Sequence, residues 1–149
     1  FRGKQEEIVR AVLAGQDCVV LMPTGGGKSL TYQLPAVVSE GVTLVVSPLL
    51  ALIQNQVDAL KKLGIKAVTL NSTIKKRRSA LIFTISRYSP SQPTTKLLYV
   101  TPELMATSGF RCLMEKLYGR AQLARLVVDE VRRHIFPQGG PGNARANFR

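Results

Sequence analysis

A glycine-rich loop between an apolar run and a helical pattern constrains the fold of this chain more than any other feature. Residues 23–29 read PTGGGKS, and the short apolar run CVVLM at 18–22 precedes them. That run predicts a fully buried strand, and the pattern after the loop predicts a helix that begins at Lys28. A strand, a glycine turn and a helix in this order are typical of an α/β fold.

The same loop has the composition of a phosphate-binding site. Its members are Thr24, Gly25, Gly26, Gly27, Lys28 and Ser29. Glycines let backbone N–H groups approach an anion, and the start of the following helix favours negative charge. We expect Lys28 to reach the β- and γ-phosphates of a nucleotide and the Ser29 hydroxyl to coordinate Mg²⁺. The strict pattern has a further glycine where Met22 stands, and the alternative is a glycine turn without a ligand.

Strand and helix patterns alternate along the rest of the chain, which predicts a mostly parallel sheet. The predicted helices cover 5–13, 28–38, 49–63, 75–86 and 110–118, and the predicted strands cover 18–22, 42–46, 67–70, 97–101 and 126–128. Residues 89–95 are rich in proline and serine and predict a loop. We therefore expect one domain at 1–130 and an irregular, basic, poorly ordered tail at 131–149.

Two carboxylates follow the last predicted strand. Asp129 is expected to hold the Mg²⁺ shell, and Glu130 to orient and deprotonate an attacking water. Two acids at a strand end also occur in solvated turns. The phosphate loop earlier in the chain favours the catalytic interpretation.

Composition narrows the class of protein. The chain has 149 residues, of which 45% are apolar and 20% charged, which is typical of one globular domain. Its net charge of +12 favours a polyanionic partner, with a solvated basic surface as the alternative. No apolar run approaches the ~20 residues of a membrane span, so no membrane partner is expected.

Two smaller features of the sequence carry expectations of their own. Cys18 and Cys112 lie far apart in apolar runs, and we expect reduced core thiols. Because the first residue is Phe1 rather than methionine, we expect a fragment or a processed chain.

Several segments, in this order, resemble the RecQ family of superfamily 2 DNA helicases. They are Arg2 and Gln5, MPTGGGKSL at 22–30, YQLPA at 32–36, VVSPLLAL at 45–52, YVTPE at 99–103 and VVDE at 127–130. The resemblance covers about residues 1–130. MPTGGGKSL followed by YQLPA is its most specific part.

The resemblance implies a three-layer RecA-like P-loop domain that uses ATP and Mg²⁺ to unwind DNA in the 3′ to 5′ direction. It implies that Arg2 and Gln5 select adenine. The residues implied to contact single-stranded DNA are Ser47, Pro48, Gln56, Thr101, Pro102 and Glu103. It further implies work in DNA repair and recombination, in the nucleus or in a bacterial cytoplasm or nucleoid.

The chain also departs from the family pattern. RecQ proteins read DEAH where this chain has Asp129, Glu130, Val131 and Arg132, and the family's aromatic-rich loop does not follow. We hypothesise a reading-frame shift or retained intron after Glu130, which an uninterrupted, correctly spliced transcript encoding this tail would disprove. The family's adenine-stacking aromatic is expected upstream of Phe1, and the second motor lobe with its arginine finger lies outside these 149 residues. We therefore expect this chain alone to bind Mg-ATP without unwinding DNA.

Two other classes of function stay open. One is a degenerate nucleotide- or DNA-binding module without catalysis. The other is a lobe of a DEAD-box RNA helicase, which the YQLPA and SPLLAL segments disfavour.

Overall fold

A parallel four-stranded sheet organises the chain in the computed structural model, which describes residues 1–23, 25–70 and 94–130. The strands are β1 (Val42–Val46), β2 (Ala67–Leu70), β3 (Leu97–Val100) and β4 (Leu123–Val128), in the spatial order β2-β3-β1-β4. All three strand pairs are parallel. The helices of the described residues are α1 (Gln5–Leu13), α2 (Lys28–Val38), α3 (Leu50–Lys62), α4 (Pro102–Met105) and α5 (Ser108–Gly119).

Helices cover both faces of the sheet, so the inner strands are buried along their whole length. β1 reads VTLVV and β3 reads LLYV, and every residue of both is buried. Successive side chains of a strand point to opposite faces. One face packs on α4 and α5 through Leu44, Val46, Leu98, Val100, Leu104, Phe110 and Leu113. The other packs on α2 and α3 through Tyr32, Ala36, Val45, Ile53, Val57, Leu97 and Tyr99. The predicted three-layer α/β architecture is confirmed.

The predicted strand at 18–22 is wrong. These residues form no strand, and Val19 is 94% exposed and Leu21 87% exposed. A short apolar run becomes a strand only by pairing with a neighbour. The described sheet instead ends at β4, whose Leu126 and Val128 remain more than half exposed. Periodicity identified an apolar run but could not show whether a partner strand meets it.

The predicted core thiols are also wrong in their location, because Cys18 and Cys112 are both exposed, although both are free. Cys112 lies on the outer side of an amphipathic helix, and its apolar neighbours in sequence point the other way. The remaining described elements occur as predicted to within three residues. β4 begins earlier than expected, and the short helix α4 had no sequence prediction.

Some sequence predictions lie outside the described residues. They concern the helix at 75–86, most of the loop at 89–95, Thr24 and the tail at 131–149. Within 1–23, 25–70 and 94–130, no helix combines the length and apolarity that crossing a membrane requires.

The strand register brings the carboxyl ends of three strands together. Val46 pairs with Val100 on one side and Val128 on the other. The Ser47 N–H donates to the Val100 carbonyl at 3.0 Å, and the Asp129 N–H donates to the Val46 carbonyl at 2.9 Å. The carboxyl edge of an open parallel sheet is where ligands bind in such folds.

Candidate nucleotide site

The glycine loop closes onto the start of α2 through its own backbone. The Gly26 N–H donates to the Pro23 carbonyl at 3.0 Å, and the Leu30 N–H donates to the Gly27 carbonyl at 3.1 Å. Gly27 is the residue before the helix and has φ +79°, a left-handed conformation that favours glycine. The loop therefore takes a shape that side-chain-bearing residues would resist.

Gln5 connects α1 to this loop. Its side chain is buried, and its Nε2 donates to the carbonyls of Gly26 and Gly27 at 3.2 Å each. Its Oε1 accepts from the Arg2 N–H at 2.7 Å. Both ends of the amide are thus engaged within the protein. The adenine-selecting role of Arg2 and Gln5 stays a prediction, and the contact that the structure shows is support of the loop.

Replacing Gln5 with alanine is expected to weaken the loop. The change leaves two loop carbonyls without their side-chain donor, and such losses typically cost ~1–3 kcal/mol. We expect a lower midpoint of urea unfolding and weaker Mg-ATP binding. Gln16→Ala is the control, because Gln16 is exposed. Equal unfolding midpoints for the two variants would contradict the supporting role.

Lys28 and Ser29 begin α2 directly after the loop. The Lys28 ammonium makes no salt bridge with any residue of the described ranges, so it is available to an anion. The Ser29 Oγ accepts a hydrogen bond from the Gln56 Nε2 at 3.0 Å. Lys28 and Ser29 thus stand at a helix start, where anions bind favourably, and their roles toward phosphate and Mg²⁺ stay predictions.

A group of polar side chains connects Ser29 to the end of β4. This polar cluster consists of Ser29, Tyr32, Gln33, Gln56, Tyr99 and Asp129. The Tyr32 hydroxyl lies 3.1 Å from the Gln56 Oε1 and 3.4 Å from the Asp129 Oδ2. The two predicted Mg²⁺ ligands, Ser29 and Asp129, are therefore bridged by two side chains, although they are far apart in the sequence.

Burial keeps both tyrosines of the polar cluster protonated. Desolvation is the largest cause that raises the pKa of the Tyr32 hydroxyl, with Tyr99 and the negative charge of Asp129 adding to it. Desolvation likewise raises the pKa of Tyr99. Both hydroxyls consequently act as neutral hydrogen-bond donors over the physiological range of pH.

The raised tyrosine pKa values predict an alkaline limit to stability. Above pH ~10 the unfolded chain loses tyrosine protons that the folded chain retains. The free energy of unfolding is therefore expected to fall as pH rises beyond this value. Tyr32→Phe should make the fall shallower in urea titrations from pH 9 to 11.5. Tyr118→Phe is the control, because Tyr118 is 78% exposed. Identical slopes in the two variants would contradict the assignment.

Glu130 follows Asp129 at the carboxyl edge with an unusual backbone. Its φ is +63°, and its side chain is exposed. Left-handed φ in a residue other than glycine is uncommon and often accompanies functional sites. Its assignment as the general base remains a prediction.

The segments predicted to contact DNA lie at the same edge, with different exposure. Ser47 and Thr101 are 2% and 6% exposed, whereas Pro48 and Pro102 are half-buried and Glu103 is exposed. The buried Ser47 hydroxyl has no hydrogen-bond partner among the described residues. The amide of Gln56 lies in the polar cluster, and its predicted contact with DNA stays a prediction.

The oxygen-rich chemistry of the site fits Mg²⁺. Mg²⁺ is usually held by one or two carboxylates, phosphate oxygens and water, which the Ser29 hydroxyl and the Asp129 carboxylate complement. Among the described residues, no three or more His, Cys, Asp and Glu side chains come together in a way that could hold a metal ion. When a nucleotide is bound, its phosphate oxygens and water would complete the coordination of Mg²⁺.

Sequence reasoning missed Tyr32, Gln33 and Tyr99 as members of the site. Tyr32 and Tyr99 lie within apolar segments, where aromatic residues usually serve the core. Gln33 is a polar residue in an otherwise apolar helix segment, and that was the available signal.

A parallel three-layer domain with a glycine loop at a helix start is a P-loop domain of the RecA-like kind. The DEAD/DEAH box helicase family model matches residues 2–138 of the chain. The chain therefore belongs to the DEAD/DEAH box helicase family.

Within this family, the chain is similar in sequence to RecQ-like helicases. It is 48% identical over 141 residues to the RecQ-like DNA helicase BLM of Xenopus laevis. This alignment covers 94% of this chain and 10% of the relative. It is 47% identical over 138 residues to the ATP-dependent DNA helicase Q5 of Rattus norvegicus, covering 91% and 14%. For the ATP-dependent DNA helicase Q1 of the same species the identity is 46% over 141 residues, covering 94% and 22%. The chain thus spans between 10% and 22% of the length of these relatives.

Proposed function

We propose that the chain is the first motor lobe of a RecQ-like ATP-dependent DNA helicase and binds Mg-ATP at the glycine loop. The observation that carries the proposal is the bridge from Ser29 through Gln56 and Tyr32 to Asp129. It joins a hydroxyl at a helix start to a carboxylate at a strand end, and these are the groups that hold Mg²⁺ in phosphate-transferring P-loop proteins.

Each residue of the site has a definite task in this proposal. Backbone N–H groups at the start of α2 and the Lys28 ammonium bind phosphate oxygens. The Ser29 hydroxyl and the Asp129 carboxylate hold Mg²⁺, which offsets the negative charge of the phosphates when it is bound. Glu130 accepts a proton from the attacking water.

Several features support DNA as the substrate of the whole protein. The chain carries a net charge of +12, and the relatives described above are named DNA helicases. The segments that begin at Ser47 and Thr101 lie at the same sheet edge as Asp129. In this proposal the complete protein unwinds DNA in the 3′ to 5′ direction with a second lobe. It acts in the nucleus, or in a bacterial cytoplasm or nucleoid.

The purified 149-residue chain tests this proposal directly. Calorimetric titration should show ATP binding that Mg²⁺ strengthens, and a duplex-unwinding assay should show no strand separation. Lack of nucleotide binding would contradict the nucleotide site. ATP-dependent strand separation would contradict the expected need for a second lobe.

A comparison of nucleic acids separates the proposal from an RNA helicase lobe. Binding of single-stranded DNA and single-stranded RNA of equal length should be measured at two salt concentrations. We expect DNA binding that weakens with salt, because phosphate contacts release counterions. Clear preference for RNA would favour the RNA helicase alternative.

A further inference from the structure

Gln56 is the most connected member of the polar cluster. Its Nε2 donates to the Ser29 Oγ at 3.0 Å. Its Oε1 lies within hydrogen-bond distance of the Gln33 Nε2 (2.6 Å), the Tyr32 hydroxyl (3.1 Å) and the Tyr99 hydroxyl (3.2 Å). One side chain from α3 thus touches residues of α2 and β3 at the carboxyl edge.

The surroundings of Gln56 fix the orientation of its amide. The Gln33 Nε2 donates to its oxygen at 2.6 Å, so the opposite orientation would place one NH₂ group against another. The nitrogen must then face Ser29, and the Ser29 oxygen must act as the acceptor.

This orientation has a consequence for the Ser29 hydroxyl. A hydroxyl has two lone pairs and one proton. Since the Gln56 amide occupies one lone pair, the other lone pair is left for a metal ion and the proton for a phosphate or carboxylate oxygen. Tyr32 connects this arrangement to Asp129, because the Asp129 Oδ2 lies 3.4 Å from the Tyr32 hydroxyl and can accept its single proton.

We propose that Gln56, together with Tyr32, is a positioning residue that orients the Ser29 hydroxyl and the Asp129 carboxylate for Mg²⁺. This inference rests on the proposed function and adds residues that do not touch the metal themselves. Such outer partners orient metal ligands, and their loss commonly lowers metal affinity by 10- to 100-fold. Tyr99 lies two positions before Thr101, so the polar cluster also reaches a segment predicted to contact DNA.

The chain offers a matched control on the same helix. Gln54 is also in α3, but it is exposed, and its Nε2 donates to the two carboxylate oxygens of Asp58 at 2.9 Å each. Gln54→Leu and Gln56→Leu remove the same amide group, and only Gln56 belongs to the polar cluster. Tyr32→Phe removes a single oxygen and tests the inference with less risk to folding.

The experiment measures ADP affinity of the whole chain with Mg²⁺ and again with EDTA. The ratio of these affinities gives the gain that the metal provides. We expect Gln56→Leu to reduce this gain by about 10-fold or more. Tyr32→Phe should reduce it by a smaller factor. Affinity in EDTA should stay within about twofold for both variants, because phosphate binding by the backbone and Lys28 does not involve their side chains. Gln54→Leu should behave as the unchanged chain.

The outcomes separate this inference from the proposed function. If the unchanged chain gains no ADP affinity from Mg²⁺, both are overturned. If it does gain affinity and Gln56→Leu retains the full gain, the positioning role is overturned and the nucleotide site stands. Loss of affinity in EDTA as well as in Mg²⁺ would assign Gln56 a structural role and overturn the inference. If circular dichroism shows Gln56→Leu to be unfolded, Tyr32→Phe decides by the same criteria.

Discussion

Replacing Lys28 with alanine is expected to weaken Mg-ATP binding by about 10- to 100-fold, because charge-assisted hydrogen bonds contribute ~1.5–3 kcal/mol. Lys28 begins α2 and makes no salt bridge within the described ranges, so its charge has no evident structural task. Thermal stability should therefore change little. Calorimetric titration with Mg-ATP measures the effect.

Lys62→Ala is the control for the loss of one positive charge. Lys62 lies in the last turn of α3 and is exposed. Its replacement should leave the affinity for Mg-ATP within about twofold, because exposed charges at a distance are screened by salt. If Lys28→Ala bound Mg-ATP as tightly as Lys62→Ala, the assignment of the loop as a phosphate site would be contradicted.

Replacing Gly27 with alanine should damage both the fold and the nucleotide site. Its left-handed φ of +79° costs a residue with a side chain ~1–2 kcal/mol. A Cβ at this position would also collide with the Nε2 of Gln5, which carries the support of the loop. Gln5 would have to move aside and lose its hydrogen bonds to the Gly26 and Gly27 carbonyls, a loss that typically costs ~1–3 kcal/mol. We expect a lower free energy of unfolding in urea and loss of Mg-ATP binding.

Gly15→Ala isolates the collision from the backbone strain. Gly15 has φ +77°, and a Cβ there would meet no atom within 4 Å. Both variants share the conformational cost, and only Gly27→Ala displaces Gln5. The difference between their unfolding free energies therefore measures the collision. Equal losses of stability, with Mg-ATP binding intact in both, would show that Gln5 does not support the loop.

Much of the fold could be predicted from sequence periodicity. The helices at 5–13 and 28–38 and the strands at 42–46 and 67–70 have the predicted bounds, because each buries a regular face or a continuous apolar run. The run at 18–22 has the same apolar character but remains exposed at Val19 and Leu21. The sequence pattern shows that a segment is apolar. A strand also needs a neighbouring strand to pair with, and the sequence pattern does not show whether one is present.

The site was predictable only in part, for a related reason. Lys28, Ser29 and Asp129 belong to short motifs with recognisable chemistry, so their types and positions pointed to phosphate and Mg²⁺. The contacts of Gln56 depend on how α2, α3 and β3 come together. Helical periodicity places Gln56, unlike Gln54, on the apolar face of α3, but it does not show which side chains the Gln56 amide meets.

The most direct measurement is a crystal structure of the chain with ADP and Mn²⁺ in place of Mg²⁺, with the metal located by anomalous scattering. We expect a metal peak at ligand distance, about 2.0–2.2 Å, from the Ser29 Oγ, with the β-phosphate against the N–H groups of residues 25–29. The Gln56 amide should still donate to Ser29. A metal or nucleotide bound away from Ser29 would contradict the central claim that this loop is the Mg-nucleotide site.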